Sequence, residues 1–117
     1  LHTVASRERL RGMSHLVIAC YRPKDGQDGA LRELLREHVP TLRREGLATA
    51  REPVLLRASD GTYVELFEWV SSDAVQAAHT HPVVLAMWER FGAACDYVTL
   101  GDLAEAREPF AHFALVP

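Results

Sequence analysis

Lysine is almost missing from this chain. Among its 117 residues only Lys24 is a lysine, the formal net charge is −3, and no Lys/Arg-rich block occurs. A basic face able to neutralise several phosphates is therefore not expected, which removes nucleic acid as a partner class. Cysteine is equally sparse. Cys20 and Cys95 are the two present, and neither sits in a CxxC motif. Two such residues cannot make a disulfide framework, so a reducing, cytoplasmic setting is the expectation. No apolar run approaches the roughly 18–20 residues of a membrane-spanning helix, so no membrane partner is expected. The opening stretch "LHTVASRERLRG" has no apolar core and is not a secretory signal. Residues 1–12 read as a disordered or added leader, with the domain occupying 13–117. Without its three Arg and one Glu, the domain carries −5.

What remains is ordinary globular material. Hydrophobic residues make up 48% and charged residues 25%, enough to bury the core of one domain. "HLVIACYR", 15–22, is a short apolar run of strand formers. Leu16, Ile18 and Cys20 alternate with Val17, Ala19 and Tyr21, so both faces are apolar and both should be covered. "PKDGQDG" is turn material. Residues 30–47 read as a helix, with Leu31, Leu34, Leu35, His38, Val39 and Leu42 on one stripe and Gly46 closing it. Pro40 should kink or split that helix, because it cannot bond the carbonyl of Arg36.

Residues 48–58 are strand-like, and Pro53 moves them toward an edge or a bulge. "SDGT" is a hairpin turn, and "YVELFEWV", 63–70, returns with Tyr63, Glu65, Phe67 and Trp69 on one face. A second helical region runs from Ser71 to Val98, interrupted at Pro82. A helical turn after Thr99 and a last strand over 109–116 complete the chain. The order is β-α-β-β-α-β, the ferredoxin-like arrangement of an antiparallel sheet with two helices on one face. Two helices cover one sheet face only, so the other is expected to pack against a second copy, giving a homodimer joined sheet to sheet.

Three stretches, "EHVPTLRREGL", "GTYVELFEWVS" and "HTHPVVLAMWERF", resemble the antibiotic biosynthesis monooxygenase-like proteins of the dimeric α+β barrel superfamily. The resemblance covers about residues 14–116. It implies a homodimer whose two sheets close a barrel, and a ligand cleft between helices and sheet in each copy. Members include small cofactor-free oxygenases acting on aromatic polyketides or quinols, and haem-degrading enzymes. The haem-degrading branch uses an Asn, a Trp and a His. Tyr21, Ala78 or His79, and Trp88 stand near those positions, and none matches.

The candidate chemistry then falls on few residues. "HTHP", 79–82, could be a metal pair, but two histidines two apart point to different sides of a helix. Proline suits the first turn of a helix and pushes its predecessor to extended geometry, so HTHP reads as a joint between two helical segments. No metal site and no cofactor are expected. His38, on the apolar stripe, is either a satisfied core histidine or a base lining the cleft. An imidazole titrating near about 6.5 suits proton removal from a phenol or enol. A carbanion or phenolate so formed can pass an electron to O₂, and an apolar pocket shields the intermediates from water. His38 is the candidate catalytic base. Tyr21, Trp69, His79, Trp88 and Tyr97 are the candidate substrate-binding residues for a small aromatic or quinol-like ligand. At least one of Glu65 and Glu68 should face a covered side, where a carboxylate must be paired or protonated; it either pairs with Arg22, Arg51 or Arg57 across the sheet or lies inside the cleft or the dimer barrel. The two cysteines read as inert buried thiols. The competing reading is a non-catalytic small-molecule-binding or dimeric interaction module.

Overall fold

The computed structural model of the chain describes residues 12–117, so all but the last residue of the expected leader lies outside the described residues. Strand β1 spans His15–Pro23, helix α1 Asp28–Arg44, β2 Val54–Arg57 and β3 Tyr63–Trp69. Helices α2 and α3 span Ser72–Ala78 and Pro82–Ala94. Strand β4 is Cys95–Val98, and β5 is the pair Ala114–Leu115. Two 3₁₀ turns, Leu100–Asp102 and Ala104–Arg107, lie between the last two strands. The five strands form one antiparallel sheet in the order β4-β1-β3-β2-β5.

The register of β1 on β3 decides what faces what. Tyr21 opposes Tyr63, Ala19 opposes Glu65, and Val17 opposes Phe67. This set points toward the helices. Leu16, Ile18 and Cys20 oppose Glu68, Leu66 and Val64 and point the other way. The main core lies between helices and sheet, built from Leu31, Leu35, Val39 and Leu42 of α1, Val84, Met87 and Phe91 of α3, and Tyr63 and Phe67 of β3. A smaller cluster on the opposite sheet face joins Cys20, Val64 and Ala58 to Leu103, with Phe113 packed on it.

Helix α1 ends where the sequence predicts. Gly46, at φ 76°, bonds the carbonyl of Arg43 at 3.0 Å, and Leu47 bonds that of Leu42 at 2.9 Å. That pairing needs a left-handed residue, which glycine supplies without strain. Gly61, at φ 92°, does the same in the β2–β3 turn, where the Asp60 carboxylate accepts from the backbone N–H of Thr62 at 2.9 Å.

Four expectations change. Pro40 does not split α1, which stays helical from Asp28 to Arg44. Pro40 and Arg36 both lie on the exposed side, so water can satisfy the carbonyl that proline leaves unbonded. The second helical region stops at Ala94, and the next four residues are an edge strand on β1, with Tyr97 opposite Tyr21. The last strand is two residues long rather than eight, because most of 109–116 is irregular chain. Residues 48–58 also pair less than expected. Ala48 makes a lone bridge to Trp69, and regular pairing begins only at Val54, after Pro53. No helix among the described residues is long and apolar enough to cross a membrane.

Candidate functional site

A cleft of about 500 Å³ opens between the sheet and helices α1, α2 and α3. Its wall combines Val17, Ala19 and Tyr21 of β1, His38 of α1, Phe67 and Trp69 of β3, Val75 of α2, Trp88 and Phe91 of α3, His79 between the two helices, and Tyr97 of β4. The volume falls within the range of small-molecule sites, and the wall is mostly aromatic and aliphatic. Among the described residues no Lys, Arg, Asp or Glu lines it.

All six residues singled out from sequence, His38, Tyr21, Trp69, His79, Trp88 and Tyr97, meet in this one cleft. The alternation of β1 and β3 brings Tyr21 and Trp69 to the helix side. The α1 stripe delivers His38 one turn from Leu34 and Leu42. Tyr97, 60% exposed, marks the mouth.

His38 sits at the buried end. Its ring packs edge-on against Phe67 and Phe91, with centroids 5.2 and 5.1 Å away. Its Nδ1 lies 2.8 Å from Oε1 of Glu65, and the Tyr21 hydroxyl donates to the same oxygen at 2.8 Å. Glu65 is 2% exposed and stands behind His38, outside the cleft lining. Burial and the neighbouring Glu65 charge push the Tyr21 phenol well above its ordinary value, so it stays a neutral donor. Burial also raises Tyr97.

Glu65 is therefore the functional-site residue left unassigned by sequence alone. Its partners are a tyrosine and a histidine, not an arginine. The signal was present, because a carboxylate in the middle of an apolar strand needs a buried partner and His38 was the polar residue on the facing helix stripe. Glu68, on the opposite face, does find its arginine. Arg51 reaches it at 3.3 Å and the Thr49 hydroxyl at 2.6 Å, and these bonds hold its carboxyl below the usual range.

HTHP is a joint. His81 is extended, at φ −88° and ψ 117°, and Pro82 opens α3. The His81 Nδ1 accepts from the backbone N–H of Val83 at 3.2 Å, while Nε2 meets Glu45 at 2.9 Å. His79 borders the cleft, with its Nδ1 bonded to the carbonyl of Val75 at 2.8 Å and its ring edge-on to Trp88 at 5.1 Å. Among the described residues no cluster of three His, Cys, Asp or Glu side chains could hold a metal ion. Cys20 and Cys95 are free and buried, and burial pushes the Cys95 thiol to about 11.

No family model matches the chain, and no curated protein or solved structure matches it either.

Proposed function

We propose that the cleft belongs to a cofactor-independent oxygenase of small aromatic, phenolic or quinol-like substrates, with His38 as the base. The observation that carries this reading is the buried His38–Glu65 pair at the end of an aromatic cleft of about 500 Å³. His38 takes a proton from an acidic C–H or O–H of the bound aromatic. The resulting anion passes one electron to O₂, and the radical pair recombines to form a C–O bond. The imidazolium returns its proton to the peroxide, and loss of water leaves a carbonyl. One oxygen atom ends in the product and the other in water. The apolar wall keeps bulk water from the anion and the peroxide. Glu65 stabilises the imidazolium that forms, as a buried carboxylate behind a catalytic histidine does.

The same reading places the chain in the ferredoxin-like, dimeric α+β barrel class. The strand order with two helical regions on one face supports it. So does the half-exposed apolar row of Leu16, Ile18 and Val54 on the other face, which the chain's own 99–117 segment leaves uncovered. A second copy packed sheet to sheet would cover it.

The test is a thermal-shift screen against anthrone, hydroquinones, hemin and planar phenols. A ligand at a hundred times its dissociation constant adds about 2.7 kcal/mol. A rise with aromatic phenols supports the reading. A flat response across the panel contradicts it and favours the interaction-module alternative.

A further inference from the structure

We propose that Glu65 makes the cleft a hydrogen-bond-acceptor site, one that selects neutral phenolic or enolic O–H donors over otherwise identical molecules lacking that proton. The inference rests on the aromatic-cleft reading and adds the feature of the ligand that is recognised.

Oε1 of Glu65 lies 2.8 Å from the Tyr21 hydroxyl and 2.8 Å from Nδ1 of His38. A carboxyl oxygen carries at most one proton, so it cannot donate to both neighbours. As a carboxylate it satisfies both by accepting twice. The Tyr21 hydroxyl supplies one proton, and Nδ1–H of His38 supplies the other. In the neutral imidazole, a proton on Nδ1 leaves a lone pair on Nε2. His38 lines the cleft, so that lone pair is what its ring offers a ligand.

The surroundings hold this arrangement in place. Phe67 and Phe91 fix the ring edge-on, and both Glu65 and His38 are buried. Beside a carboxylate, exchange to the other tautomer would leave Oε1 facing a bare Nδ1, two acceptors in contact with no proton between them. The low-dielectric interior makes that costly. Among the described residues no cationic side chain lines the cleft to attract an anion, and a buried carboxylate stands directly behind the acceptor. A neutral O–H donor fits both conditions. An ether or ketone of the same size meets two lone pairs, and a ligand carboxylate meets unfavourable charge as well. Glu65 is thus a positioning residue that acts through His38.

The experiment compares 1-naphthol with 1-methoxynaphthalene by calorimetric titration of the intact chain. The hydroxyl should favour 1-naphthol by about tenfold or more, the worth of one buried hydrogen bond and its unpaired counterpart. Glu65→Gln can offer His38 either a donor or an acceptor, so the preference should fall to about onefold. A merely structural loss would weaken both ligands together and keep their ratio. Equal binding of the two by the wild-type chain overturns this inference and leaves the aromatic reading standing. Binding of neither overturns both. Should Glu65→Gln fail to fold, nitrogen-15 spectra of the wild-type imidazoles at neutral pH decide the point. His38 protonated on Nδ1 alone supports the inference. A proton on Nε2, alone or with Nδ1, overturns it.

Discussion

At the residue scale, the bonds around Glu65 tie β1, β3 and α1 together at the buried end of the cleft. Tyr21 and Glu65 are buried, and their 2.8 Å bond joins a phenol to a carboxylate. A hydrogen bond to a charged group contributes about 1.5–3 kcal/mol. Tyr21→Phe should therefore lower unfolding free energy by about 1.5–3 kcal/mol in urea titrations while keeping the cleft's shape. The tyrosines also predict a pH effect. Tyr21, Tyr63 and Tyr97 are all raised above 10, first of all by burial. The fold keeps the neutral phenol, while the unfolded chain releases its phenolic protons near pH 10. Stability from these groups is complete below that pH and falls as pH rises beyond it. An absorbance titration at phenolate wavelengths should show the native chain ionising later than the urea-unfolded one. Coincident curves would refute the burial argument. The sequence identified His38 and both cleft tryptophans, because stripe and alternation fix which way a side chain points. It could not pair Glu65, because three arginines competed on paper and only the fold shows which face each one takes.

At the scale of elements, helix α1 and strands β1 and β3 were legible, since each repeats its apolar period over enough residues to be unambiguous. Strand β4 was not. Cys95–Val98 offers only four residues, directly after a helix whose Phe91 and Ala94 keep the helical spacing. Strand pairing to β1 overrides the local pattern there. Pro40 did not bring the split that it allowed, because its cost depends on whether the freed carbonyl reaches water. The HTHP joint was read correctly from proline's backbone rules, yet the capping role of the His81 ring was not visible. The imidazole takes the place of an N-cap oxygen, accepting from Val83 at 3.2 Å. His81→Ala should cost about 0.5–2 kcal/mol, as lost caps do. His81→Ser should recover most of that loss, and thermal unfolding of the pair would show it. Equal destabilisation by both would assign the effect to the Glu45 contact instead.

For the molecule as a whole, the two sheet faces divide the labour. One carries the cleft, and the other is covered in part by the chain's own 3₁₀ turns and by Phe113. Sequence patterning assigned that entire face to a second copy, because it placed residues 109–116 in the sheet rather than across its back. The proposed dimer now depends on the remaining row. Leu16 is 55% exposed and packs in neither core cluster, so a charge there leaves the monomer fold intact. Sedimentation should give the wild-type chain twice its 13.1 kDa, and Leu16→Glu should bring it to the monomer mass. A monomeric wild-type chain would contradict sheet-to-sheet pairing without touching the cleft.

The central claim is that His38 removes a proton to start oxygen chemistry in the cleft. Oxygen consumption by the purified chain with anthrone in excess tests it most directly, beside His38→Ala of matched fold. The account predicts uptake that needs the protein and falls by about 10²–10⁴-fold in the variant, the usual contribution of a general base. Equal uptake by both proteins would contradict it.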